Sequence, residues 1–247
     1  KRPGFIDLIK RNWERIDYPE EKIEMIICDD SENAEKIKKN FDSKNTDKRI
    51  KFISFSNRMT IGEKRNFLCD KASKEYIVHM DDDDYFAPDA LATFNEIAII
   101  HPECKWFVTN RAYADGNLVT KYPKPEIWYS YIKDVLILKR CKGDVTHCMK
   151  TSILTNIRYS KYIKQAEEWL FYYQVAIREK MFYHNHNSTL TDGYDKTSGL
   201  NFRKRTRGEQ LEALRTFIYE GRELHLLHHP TFLIYLFMRL VRLCFKS

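Results

Sequence analysis

Four consecutive aspartates, Asp81 to Asp84, follow directly on the apolar run Tyr76-Ile77-Val78-His79-Met80. Neighbouring carboxylates repel one another, and a cation relieves that field. Carboxylates suit Mg²⁺ or Mn²⁺, which take oxygen ligands and keep positions open for substrate phosphates. In an extended segment alternate side chains share a face, so Asp81 and Asp83 would point together. The plainer alternative is a solvated acidic loop in which Asp84 or Asp89 helps to cap a helix starting near Pro88. Placement at the end of a buried-looking strand favours the cation site. A second acidic pair, Asp29-Asp30, ends another short apolar run, Ile23 to Cys28.

Two further groups carry charge where chemistry could use it. Gly62-Glu63-Lys64-Arg65-Asn66 opens a helix, and Lys64 and Arg65 could meet a diphosphate there beside the helix's partial positive end. An ordinary solvated basic face is the bland reading. Ala166-Glu167-Glu168-Trp169 opens another helix, expected to be amphipathic. Its carboxylates suit a helix N-terminus, or one of them acts as a general base tuned by apolar neighbours such as Trp169. His184, His186, Asp192 and Asp195 are looser candidates for a metal shell, with His186 the one retained. Trp106, Trp128 and Tyr129 could offer a stacking face to a ligand, though core packing is the expectation for each.

The elements that must position these groups alternate. Helix is expected over 5–15, strand to Cys28, helix over 31–41, strand over 50–55, helix over 62–72, strand over 76–80 and helix from Pro88 to Ile100. This alternation argues for a mainly parallel, mixed sheet flanked by helices. In such a sheet ligands sit beyond the carboxyl ends of the strands, so Asp29-Asp30 and Asp81–Asp84 are expected to face one crevice. Later, strands are expected over 106–109 and 144–149 and a helix over 165–178. Thr206-Arg207-Gly208-Glu209 matches a capping box that begins a helix. A last apolar helix, studded with basic residues, is expected over 230–245. The expected division is a catalytic domain over 1–205, with halves 1–110 and 111–205, and a C-terminal helical extension over 206–247.

Bulk properties narrow the class. The 247 residues carry 42 basic and 35 acidic side chains, a formal charge of +7. That suits a phosphate-bearing ligand, but no basic block interleaved with aromatics marks a nucleic-acid footprint. None of the six cysteines forms a C-x-x-C pair. They read as free thiols in a reducing compartment, which implies the cytoplasm. The longest apolar stretch, Phe232 to Met238, is too short to span a bilayer. The final segment, 230–247, is expected either to lie on a membrane as a peripheral contact or to pack on the domain or in a homodimer contact.

Taken in order, Ile26-Ile27-Cys28-Asp29-Asp30-Ser31, Ile61-Gly62-Glu63-Lys64-Arg65-Asn66, Met80-Asp81-Asp82-Asp83-Asp84 and Glu167-Glu168-Trp169 resemble the inverting family 2 glycosyltransferases, over about residues 3–200. The resemblance implies the Rossmann-like GT-A fold and transfer of a sugar from a nucleotide-diphosphate sugar, by default a UDP-sugar, to a hydroxyl of a glycan, lipid-linked or protein acceptor. It implies that Asp30 or Asp29 meets the nucleotide base, and that Lys64, Arg65 and Asn66 lie near ribose and diphosphate. Asp81 and Asp82 would be on the nucleoside and sugar side, with Asp83, Asp81 and Asp84 as the ligands of Mn²⁺ or Mg²⁺. Glu167-Glu168 matches a Glu-Asp pair whose second member is the catalytic base, so Glu168 stands where Asp is commoner. Such enzymes usually open with a strand ending in a T-x-N-R-like loop. Lys1-Arg2-Pro3-Gly4 looks like the end of that loop, and the strand itself is absent from the sequence. The rival readings are a sugar-phosphate nucleotidyltransferase, whose Gly-rich basic loop is not visible, and a non-catalytic carbohydrate-binding or scaffolding module.

Overall fold

A computed structural model describes residues 5–81, 84–162, 168–191 and 206–245. In chain order the first half comprises α1 (Phe5–Arg15), β1 (Met25–Asp29), α2 (Ala34–Asp42), β2 (Ile50–Ser54), α3 (Ile61–Lys71), β3 (Tyr76–Val78), β4 (Asp84–Phe86) and α4 (Ala90–Ile100). The second half comprises β5 (Trp106–Tyr113), β6 (Ile127–Tyr129), a π-helical turn (Tyr131–Ile137), β7 (Val145–Lys150), α5 (Glu168–Ala176), β8 (Met181–Thr191), α6 (Arg207–Glu223) and α7 (Pro230–Phe245). The expected elements are present, most within two or three residues of their expected bounds. One start moves: α4 begins at Ala90 rather than Pro88, and its N-cap Asp89 makes no side-chain capping bond.

The sheet is mixed, as expected, but its parallel share is smaller than helix–strand alternation implied. β1 and β2 pair in parallel. The larger sheet runs β3-β7-β5-β8-β4, with β6 also on β8. Within it only β5 and β8 are parallel, and the other four pairs are antiparallel. Parallel neighbours need a long crossover, usually helical. The alternation supplies one between β1 and β2, whereas β6 and β7 follow β5 without an intervening α-helix.

Three apolar clusters hold the layers together. Ile27, Phe41, Ile50 and Phe52 close the space between β1–β2 and α2. Phe86, Phe94, Ile97, Phe107 and Phe182 pack α4 onto the larger sheet. The largest cluster is aromatic, built on Trp106, Tyr131, Tyr159, Trp169, Phe171 and Tyr172. That is where much of the 14% aromatic content goes. Four of the six free cysteines are buried as small apolar residues. Burial pushes the Cys69 thiol up to about 11 and the Cys141 thiol to about 12, which removes them from chemistry at neutral pH.

The helix α5 is not amphipathic, contrary to expectation. Its seven residues from Trp169 to Val175 are all buried. The reason is α6 and α7, which cover the side that would otherwise meet water. Trp169 packs on Phe217 of α6 and on Phe232 and Tyr235 of α7, and the Tyr173 hydroxyl bonds Thr231. The expected capping box at Thr206 and Glu209 is formed, and it starts α6.

The start of α3 depends on a close approach. A Cβ added at Gly62 would lie 2.0 Å from the Ser160 carbonyl oxygen, a contact no backbone tolerates. Gly62→Ala is therefore expected to lose roughly 1–3 kcal/mol despite the better helix propensity of alanine. Gly208→Ala, with only the Thr206 hydroxyl near at 3.9 Å, should be neutral or stabilising. Denaturant unfolding of both variants checks this, and equal stabilities would refute the close approach.

Candidate active site

The site is organised by three successive residues of α3. A capping box sets the helix start: the Glu63 amide donates to the Thr60 hydroxyl at 3.1 Å and the Thr60 amide to the Glu63 carboxylate at 2.8 Å. From there Lys64, Arg65 and Asn66 fan out in three directions. Lys64 donates to the Asp30 carboxylate at 3.0 Å. Arg65 donates to Glu168 at 3.0 Å and lies 3.5 Å from Asp81. The Asn66 side chain bonds the Tyr159 backbone both ways, at 2.9 and 2.8 Å. Groups distant in sequence thus meet on one helical turn.

Arg65 is held from several sides. Its guanidinium lies 5.4 Å from the centre of the Tyr159 ring, and that ring stacks on Phe171 of α5. Being planar and always charged, it can serve one carboxylate from each terminal nitrogen.

Burial sorts the acidic residues. Asp29 closes a turn, accepting the Ser31 amide at 2.9 Å and the Ser31 hydroxyl at 3.3 Å. Asp30 is buried and accepts the Met59 amide at 2.9 Å besides Lys64. Asp84 is buried and ion-paired with Arg111 of β5. The side chains of Asp81 and Glu168 are 55% and 40% exposed, so these two, one at each end of Arg65, can reach a ligand. Asp82, Asp83, Glu167, Asp192 and Asp195 lie outside the described residues.

Arg111 was not anticipated from the sequence. The β5–β8 register shifts on either side of Asn110, immediately before it. Irregularities of this kind re-aim the next side chain. Asn110 fills the break with its own side chain, donating to Asn185 and Asn187 and accepting from the Tyr183 hydroxyl. Arg111 then reaches Asp84 and lies 4.0 Å from Asp81. The available signal was a lone arginine inside an otherwise buried strand.

Other expectations resolve into structure. His186 turns one ring nitrogen to Asp89 at 3.2 Å and the other to Ser188 at 2.8 Å, and His184 meets Glu126. Among the described residues no group of three or more His, Cys, Asp or Glu is disposed to hold a metal. Trp106 is fully buried, donates to His147 at 3.1 Å and stacks on Tyr172, so it offers no face to a sugar. Tyr129 is buried as well, while Trp128 remains partly open. His79 and His147 sit beneath Arg65, and burial followed by that cation lowers both to about 3. They stay neutral at ordinary pH. A separate cavity of about 370 Å³, lined by Lys10, Trp13, Tyr18, Asp47 and Arg49 among others, includes none of the α3 fan.

Burial alone would raise the Asp30 carboxyl, but the Met59 amide and the Lys64 ammonium outweigh it and hold the group below its ordinary value of 3.8. A carboxyl depressed in the folded state contributes stability above its unfolded value and loses it as pH falls through the folded one. Stability should therefore drop on acidification below about pH 4, and Asp30→Asn should flatten that limb. Denaturant unfolding over that range tests it, and an unchanged acid limb in the variant would remove Asp30 as a contributor.

Residues 5–163, well over half the chain, match the family described as Glycosyl transferase family 2. No curated protein matches the sequence. Among solved structures, S. aureus TarS 1–349 in complex with UDP-GlcNAc is similar over 86% of this chain and 63% of its own, with a TM-score of 0.63 and 16% identity. A longer S. aureus TarS structure matches over 86% of this chain and 38% of its own, with a TM-score of 0.62 and 17% identity. The mannosyltransferase PcManGT from Pyrobaculum calidifontis, in complex with GDP-Man and Mn²⁺, is similar over 100% of this chain and 73% of its own, with a TM-score of 0.58 and 13% identity. The chain thus spans less than two thirds of the TarS chains it matches. At these identities the likeness speaks for the fold, which is GT-A. With that fold, and with the family match running from α1 through Arg65, Asp81 and Tyr159, the chain belongs to glycosyl transferase family 2.

Proposed function

We propose that the chain transfers a sugar from a nucleotide-diphosphate sugar to an acceptor hydroxyl with inversion, using Glu168 as general base. The observation that carries this reading is the pair of open carboxylates, Asp81 and Glu168, on the two terminal nitrogens of Arg65. One lies beside the acidic run, where the donor diphosphate would sit. The other lies at the start of α5, where an acceptor would approach. A passive carbohydrate-binding module needs no such arrangement.

In this reading Glu168 takes the proton of the acceptor hydroxyl as that oxygen bonds the anomeric carbon. The bond from that carbon to the diphosphate oxygen breaks on the opposite face, and a single displacement inverts the configuration. Arg65 holds Glu168 oriented, and lies beside the charge that grows on the leaving diphosphate. Lys64, braced by the buried Asp30, would lie at the nucleoside end. Arg111, by neutralising Asp84, leaves Asp81 as the open carboxylate of the described part of the run. The fit to a divalent ion is through Asp81 and Asp83, since Mg²⁺ and Mn²⁺ need only one or two carboxylates beside substrate phosphates. Asp84, engaged by Arg111, and His186, engaged by Asp89, take no part. Such an ion, when bound, neutralises the diphosphate. TarS was solved with UDP-GlcNAc and PcManGT with GDP-Man and Mn²⁺, which supports a nucleotide-sugar donor and Mn²⁺ as the first metal to test. A UDP-sugar is the first donor to test. The buried reduced cysteines suit action in the cytoplasm.

Glu168→Gln should lower transfer by about 10²- to 10⁴-fold while the melting temperature and donor affinity hold. Asp83→Ala should lose transfer together with any metal-dependent donor binding. A thermal-shift panel of UDP-, GDP-, dTDP- and CDP-sugars with and without Mn²⁺ identifies the donor. Near-wild-type turnover in Glu168→Gln would remove it as the base, and stabilisation by a donor regardless of Mn²⁺ would remove the metal.

A further inference from the structure

The helix α7 is apolar on both sides. Phe232, Tyr235, Leu236 and Leu243 are buried against the domain. On the opposite side Leu233, Ile234, Phe237, Leu240 and Phe245 face outward, Phe237 at 66% and Phe245 at 83% exposure. Leu233, Phe237 and Leu240, with Ile234 alongside, follow a spacing of three and four residues and make a stripe along the helix. An exposed apolar stripe of this kind marks a docking surface.

The charges beside it have one sign. The helix holds no acidic residue, and its charged side chains are Arg239 and Arg242. Lys139, which follows the π-helical turn, lies 5.8 Å from the centre of the Tyr235 ring. Burial first, and then Arg242 and Arg239, depress the Lys139 ammonium. Arg239 packs inward, over the Trp169, Phe217 and Tyr235 rings, whereas Arg242 is exposed.

We propose that α7 is the face by which this protein lies on an anionic lipid bilayer, with the apolar stripe in the acyl boundary and Arg242 and Lys139, at its flank, against the headgroups. The helix has 16 residues, fewer than the ~20 needed to span a bilayer, and among the described residues no helix is long and apolar enough to cross one. It would therefore lie in the plane of the surface. A second copy of the chain is the less suitable occupant. One helix face about 24 Å long and 10 Å wide falls well short of the ~800 Å² per partner that stable protein pairs bury. The inner face of the same helix packs on Trp169, the neighbour of Glu168, so docking would bring the α5 end of the site close to the surface.

Co-sedimentation of the full chain with vesicles tests the proposal without reference to catalysis. Binding is expected to vesicles of phosphatidylcholine with phosphatidylserine, to fall with added salt, and to be weak on phosphatidylcholine alone. Arg242→Glu and Phe237→Glu should each weaken binding to the mixed vesicles by about tenfold. Both side chains are exposed, so unchanged melting temperatures should accompany the loss. Equal binding to neutral and anionic vesicles, no binding to either, or a concentration-dependent dimer abolished by Phe237→Glu without vesicle binding would each overturn it.

Discussion

The guanidinium of Arg65 is the interaction on which the site depends. It is a largely buried cation, and a buried charge survives only when it is paired and hydrogen-bonded. Its partners come from elements far apart in the chain: Asp81 after β3, Glu168 at the head of α5, and the Tyr159 ring ahead of α5. Satisfying one group therefore obliges three segments to converge. The rest of the architecture makes this possible. Gly62 lets α3 approach Ser160, Asn66 clamps the Tyr159 backbone, and α6 and α7 bury the outer side of α5.

The same convergence separates two kinds of acid. Asp30 and Asp84 are sealed against Lys64 and Arg111 and act as struts, whereas Asp81 and Glu168 stay open. Removing a strut would leave a half-buried cation, Lys64 or Arg111, without its carboxylate and so act through the fold. Removing an open carboxylate would act on ligands. His79 and His147, which partial burial and the Arg65 charge keep neutral, add no further charge to this division.

Much of this was legible in the sequence, because it rests on local patterns. The apolar runs of β1 to β3, the capping box at Thr206 and the order of the charged motifs are short-range signals, and they marked Asp30, Lys64, Arg65, Asp81 and Glu168. What was not legible depends on contacts between distant segments. That α5 is buried all round follows from α6 and α7, which no periodicity within α5 reports. Arg111 depends on a register break opposite β8. The antiparallel share of the sheet depends on how strands return, and alternation of element types does not encode it. Asn66 was read as a ligand contact, yet its amide is spent on the Tyr159 backbone. A short polar side chain at a helix start looks the same in either role.

Lys64 and Arg65 are consecutive, so they point about 100° apart around one rigid turn of α3. One braces Asp30 and the other braces Glu168 and Asp81. A rotation of that turn moves both ends at once, as a crank moves two rods. In the proposed reaction, selectivity at the nucleoside end and turnover at the acceptor end would thereby be geared together. Divergence toward a different donor would have to alter the groups around α3 rather than the attitude of the helix itself.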